Sequence, residues 1–199
     1  MPNDAGDSLT ALFPSKAMAR LVIFFLAHPG QRVYVRELQR RTRLSSASLQ
    51  NELRRMMVVG ALRRVEEDGR TYLEANEEVG PWGGWMRLLR FAADPVDILR
   101  ETLVDVPELD AAFIFGSTAR GDAREDSDLD LFLVGPSEAR SRAKKLLVDI
   151  GYFLPRPLDV IGREREQLRN PAGWFERSVL AEPKIWLQGS LDLAEVEAA

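Results

Sequence analysis

The chain has 199 residues, 45% hydrophobic and 29% charged, enough to fill two small cores; it has no cysteine and one histidine, which excludes disulfides, thiolate zinc sites, cysteine nucleophiles and histidine clusters. Its first residues are polar and acidic and its longest apolar run, Leu21 to Ala27, is far too short to cross a bilayer, so no signal peptide and no membrane partner are expected, and the expected compartment is the cytoplasm. The formal charge of −4 is uneven: residues 13–72 hold 12 Lys/Arg against 5 Asp/Glu, a stretch that attracts polyanions, whereas residues 81–199 hold 15 against 21.

Residues 1–12 read as a loose tail. Ala17, Leu21, Phe24 and Phe25 then recur at helical spacing until Pro29-Gly30. His28, at that helix end, is expected to be a cap or a surface residue. Val33 to Val35 reads as a short extended piece and Glu37 to Arg43 as a second helix. After a turn at Leu44-Ser45-Ser46, with a serine as N-cap, Leu49, Leu53 and Met56 give a third helix its apolar stripe, closed by Gly60. Leu62–Glu67 and Thr71–Ala75 flank Asp68-Gly69, a hairpin signal. Helix, short strand, helix, turn, helix and hairpin is the order of a winged helix-turn-helix.

Pro81, Gly83 and Gly84 interrupt the next stretch, with helices expected over Trp85–Phe91 and Pro95–Val104. Trp82, Trp85, Leu88 and Leu89 are too apolar for a free linker, and Phe24, Trp82, Trp85 and Leu88 are the expected seam of a homodimer. Strands are expected over Ala111–Phe115, Leu129–Val134 and Pro157–Ile161, with a helix over Ser137–Ile150 between the last two. Two more helices, near Glu164–Arg169 and Trp174–Leu180, and a closing strand at Lys184–Leu187 complete the pattern. Trp174 and Trp186 read as core. The expected domains are 13–78, a helical connector at 79–108, and 109–190. The fold class is α+β, a winged helix-turn-helix followed by a small mixed-sheet domain.

The chemistry-bearing stretch is Phe113-Ile114-Phe115-Gly116-Ser117-Thr118-Ala119-Arg120-Gly121, then Ser127-Asp128-Leu129-Asp130-Leu131. Gly116 lets a phosphate approach the backbone, and the free N–H groups of a helix start, with the Ser117 hydroxyl, suit triphosphate oxygens. Arg120 adds a positive charge. Asp128 and Asp130, two apart on a strand, share one face and repel each other unless a cation intervenes. Magnesium suits carboxylate plus phosphate oxygens, and Asp159 on an adjacent strand would complete a three-carboxylate cluster able to hold two ions.

Gly116-Ser117-x-x-Arg120-Gly121 followed by Ser127-Asp128-x-Asp130-Leu131 resembles the minimal nucleotidyltransferases of the polymerase-beta-like superfamily, over roughly residues 109–161 and more weakly at Lys184–Leu187. The resemblance implies a nucleoside triphosphate, with ATP expected, and Mg2+; it places Gly116 and Ser117 at the triphosphate and Asp128 and Asp130 at the metals. Asp159 matches the third acidic position, the proton acceptor. Residues 16–76 resemble winged-helix regulators of the arsenic-repressor-like type. On the third helix Ser46, Ser48, Gln50, Asn51 and Arg54 face outward for double-stranded DNA, Gln and Asn being able to pair with adenine. Arg63, Arg64 and Arg70 frame the wing, and Arg36, Arg40, Arg41 and Arg43 add charge. The expected protein is a DNA-binding transcriptional regulator with a metal-dependent nucleotidyltransferase domain. Two alternatives stay open: a transcription factor that only senses nucleotide, and an antitoxin-type transferase whose acceptor is a helical toxin protein. Turnover itself is left undecided.

Overall fold

The computed structural model describes residues 11–76, 81–124, 126–169 and 173–191. The expected tail at 1–12 falls outside these but for its last two residues, and so do residues 192–199. The chain divides into two compact units, residues 1–101 and 102–199. No helix among the described residues is long and apolar enough to cross a membrane.

In the first unit, Ser15 caps helix α1 (Lys16–Ala27) by accepting from the Met18 N–H at 3.0 Å. Every residue of α1 except Lys16 and Arg20 is buried, as in a helix surrounded by its own domain. Phe24 is therefore core, at 1% exposed, and cannot line a dimer seam. His28 is buried as well: its ring stacks on Phe24, Nδ1 bonds the Phe24 carbonyl at 2.7 Å, and Nε2 faces Arg41 at 2.7 Å. The apolar walls that bury Phe24 take the adjacent imidazole inside with it. Helix α2 (Val35–Thr42) begins two residues before the expected start, because only Val33 is strand-like, pairing with Leu73. Arg43 adopts a left-handed conformation (φ 53°) that ends α2 and turns the chain to Ser45. Ser45 then caps α3 (Ser46–Val58), accepting from the Ser48 N–H at 3.2 Å.

Strands β1 (Leu62–Glu67) and β2 (Arg70–Ala75) pair antiparallel around Asp68-Gly69. Both turn residues have positive φ (50° and 71°), as a two-residue hairpin of this hand demands. Helix α4 (Pro81–Ala92) runs through Gly83 and Gly84, which do not break it: proline opens a helix at no cost in hydrogen bonds, and both glycines fall in the first turn. Met86 and Leu89 are buried, whereas Trp85, Leu88 and Phe91 are exposed. Helix α5 (Pro95–Leu103) crosses the boundary between the units.

The second unit is built on a four-stranded mixed sheet of β3 (Ala111–Phe115), β4 (Leu129–Val134), β5 (Leu158–Arg163) and β6 (Ile185–Gly189), in the order β5-β4-β3-β6. β3 is antiparallel to β4 and β6, and β4 is parallel to β5. All of β3 and all of β4 but Asp130 is buried. Such near-continuous apolar runs belong to central strands covered on both faces. One face, with Phe113, Phe115, Phe132 and Val134, packs against Leu168 of α8 (Arg165–Arg169) and Val179 and Leu180 of α9 (Trp174–Ala181). Between β4 and β5, the returning helix α7 (Ser137–Gly151) buries Ala139, Ala143, Leu147 and Ile150 at helical spacing. Trp186 packs against the core, but Trp174 is 76% exposed, opposite to the expectation for a core tryptophan. Its neighbour Phe175 is the residue that packs inward.

Candidate active site

The sheet's apolar face changes character at one end. Phe132 and Ile161 are apolar, but two residues earlier on the same face of their strands stand Asp130 and Asp159. The register pairs Phe115 with Asp130 and Asp130 with Asp159, so one cross-strand row runs from the end of β3 to both carboxylates. Asp128 lies two residues before Asp130, at the entrance to β4. Immediately after Phe115 the chain turns into the short helix α6 (Gly116–Arg120), with no side-chain cap at its start. Gly116 makes the turn with φ 67°. The Asp130 carboxylate sits directly over it: a Cβ there would collide with Asp130 Oδ2 and lie 3.2 Å from Cγ. Here only glycine combines the left-handed backbone with room for the carboxylate.

The electrostatics follow from this crowding. Burial raises the Asp130 pKa from its ordinary value, and the negative charges of Asp159 and Asp128 raise it further, while Arg120 and Arg156 offset part of the effect. Asp128 and Asp159 are exposed, and among the described residues no three acidic or histidine side chains converge into a ready-made metal cluster. The backbone thus brings the three aspartates to one edge of the sheet while their side chains stay apart, as like charges do. The donor set fits a hard divalent cation, which prefers carboxylate oxygens and tolerates ligands completed by phosphate and water.

Ser117 and Thr118 are half-buried in the first turn of α6. Arg120 closes that helix with its guanidinium bonded to Glu182 at 2.8 Å and Asp122 at 3.3 Å. A residue the sequence reading passed over stands opposite. Arg156, in the turn before β5, donates to the Thr118 hydroxyl at 2.9 Å. Its only sequence signal is that it shares the turn that delivers Asp159.

In the first unit, Ser46, Gln50 and Arg54 are exposed at intervals of four along α3, with Asn51 beside them and Ser48 half-buried. Arg63 is bonded to Glu74 at 3.2 Å, and Arg64 is exposed. Arg70 reaches the Tyr34 hydroxyl at 3.3 Å, and an open depression of about 880 Å³ is lined by Tyr34, Arg36, Arg40 and Arg70. Arg41 is withdrawn from the surface: its side chain is 8% exposed, lies over the Phe24 ring and pairs with Glu101 at 3.2 Å.

Residues 96–187 match the family model described as a nucleotidyltransferase domain, which covers the whole of the acidic sheet edge and the Gly116–Arg120 turn. The match and the small mixed sheet together support a nucleotidyltransferase domain in this part of the chain. No curated protein matches the chain. One solved structure, described as the crystal structure of the toxin-antitoxin with AMP-PNP, aligns with 50% of this chain and 82% of its own at 18% identity and a TM-score of 0.34. A likeness of that size places no residue and identifies no partner.

Proposed function

We propose that the C-terminal unit binds a magnesium-complexed nucleoside triphosphate, ATP in the first instance, and transfers its nucleoside monophosphate to a hydroxyl acceptor. The observation that carries this reading is the pair Asp130 and Asp159 on neighbouring strands, with Gly116 packed against the Asp130 carboxylate and Asp128 two residues away, inside the segment that matches the nucleotidyltransferase domain. The turn at Gly116 and Ser117 receives triphosphate oxygens on its backbone N–H groups. Asp128 and Asp130 hold the divalent ion, with Asp159 beside them. Such an ion lowers the repulsion among the carboxylates and phosphates and steadies the departing charge. The acceptor oxygen attacks the α-phosphorus, the bond to the bridging oxygen breaks, and pyrophosphate leaves. The acceptor's proton passes to Asp159, the exposed carboxylate on the edge strand.

The test is incubation of the full chain with triphosphates labelled on the α-phosphate, magnesium and a cell extract. A labelled product that disappears with Asp128→Asn is the expected result, and its size tells a protein acceptor from a small one. Absence of any product, with nucleotide binding intact, would replace transfer by nucleotide sensing.

For the N-terminal unit we propose a winged helix-turn-helix that binds double-stranded DNA as a homodimer, making the whole protein a regulator. Three features support it: the three helices, the Val33–Leu73 bridge that ties the segment before α2 to the β1–β2 hairpin, and the exposed polar stripe Ser46, Gln50 and Arg54 on α3. Exposed Trp85, Leu88 and Phe91 on α4 replace Phe24 as the apolar stripe available for a dimer. The cytoplasm is the compartment this reading requires.

A further inference from the structure

The loop motif carries its own arginine, yet Arg120 is neutralised where it stands by two carboxylates, Glu182 at 2.8 Å and Asp122 at 3.3 Å. A guanidinium already shared between two carboxylates has fewer donors left for a phosphate. Arg156 has the opposite surroundings. It arrives from the turn before β5, 38 residues from Thr118 in sequence. Its Nη2 donates to the Thr118 hydroxyl at 2.9 Å, and its Nη1 approaches the Arg124 carbonyl at 3.5 Å. Both acceptors are neutral, and among the described residues Arg156 makes no ion pair. Thr118 belongs to the first turn of α6, directly after Gly116 and Ser117, so the guanidinium is tethered to the same turn that approaches Asp130. A half-buried arginine held only by neutral acceptors keeps both its charge and the remaining donors of its planar fork for an anionic ligand.

We infer that Arg156, fixed by Thr118, is the guanidinium that bonds the phosphate chain of the bound nucleotide, and that Arg120 is a strut joining α6 to Glu182. This rests on the nucleotide reading given above. It adds that one turn supplies both an anion-binding arginine and, three residues on, the third aspartate.

The experiment is calorimetric titration of the full chain with magnesium–ATP and, separately, with magnesium–tripolyphosphate, which lacks base and sugar. The thermal midpoint of each variant is measured alongside. Arg156→Ala is expected to weaken both ligands about 10- to 150-fold, the size of a lost charged hydrogen bond. Arg156→Gln keeps a donor for Thr118 without the charge, and is expected to keep the wild-type midpoint yet bind as weakly as the alanine variant. Arg156→Lys should recover part of the affinity. Arg120→Ala should have the smaller effect on affinity and the larger on the midpoint. If Arg156→Gln restores wild-type affinity, Arg156 is only a structural tie and the inference falls. If Arg120→Ala causes the larger loss of affinity, the assignment is reversed. If wild-type protein binds neither ligand, the nucleotide reading fails and takes this one with it.

Discussion

Gly116→Ala is expected to lower stability by about 1–3 kcal/mol and to weaken nucleotide binding at least tenfold, an effect that a second glycine separates into its parts. A left-handed backbone at a non-glycine residue costs on that order. Gly116 adds a second penalty, because its new methyl would occupy the place of the Asp130 carboxylate. Asp130 would have to swing out of line with Asp159, dismantling the row on which the ion depends. Gly121, at the other end of α6, has φ 81°, but a Cβ there meets open space. Gly121→Ala should therefore show the strain alone: a smaller fall in the thermal midpoint than Gly116→Ala, at roughly 2–4 °C per kcal/mol for a chain of this size, with nucleotide affinity largely kept. Equal affinities for the two variants would show that Asp130 does not need its seat over Gly116.

A second large effect is expected from salt. If the first unit binds duplex DNA, the exposed arginines Arg36, Arg40, Arg54, Arg64 and Arg70 make contacts whose counterions are released on binding. Five such contacts imply an affinity loss of about two to three orders of magnitude for a single copy between 50 and 200 mM salt, and of about five orders for the proposed homodimer. Arg64→Ala/Arg70→Ala should weaken binding to every duplex and flatten that salt dependence. Arg63→Ala should do less, since Arg63 is bonded to Glu74. Gln50→Ala and Asn51→Ala should instead narrow the gap between specific and random duplex, by about 1–3 kcal/mol for each lost pair of base contacts. Fluorescence anisotropy over a salt series reads both slopes. No binding to any upstream duplex at low salt would leave this unit as a protein-contact module.

The elements that read correctly from sequence are those whose signal is local. The apolar runs at 111–115 and 129–134 are central strands because nothing but a two-sided core takes such residues. Asp68-Gly69 specifies its turn through the backbone that those two residues tolerate. The strand that carries Asp130 is legible in the same way, but Asp128, expected on that strand too, lies just before it. What the sequence withheld depends on partners far along the chain. The stripe on α1 shows that Phe24 is apolar, but not that every residue of the helix except Lys16 and Arg20 is covered. Arg63 and Arg64 look alike until the hairpin register sets Arg63 opposite Glu74. Arg41 seems one more surface cation, yet Glu101 and the Phe24 ring hold it inside. Arg156 lies in an undistinguished turn, and only the fold carries it to Thr118.

The account stands or falls on whether the acidic edge of the sheet is a metal-dependent nucleotide site. Titration of the full-length protein with ATP, with and without magnesium, measures this directly, with Asp128→Ala/Asp130→Ala titrated in parallel. The predicted result is a saturable heat for wild type that needs magnesium and vanishes in the double variant while its thermal midpoint shows the fold intact. Equal binding by wild type and the double variant would contradict the assignment.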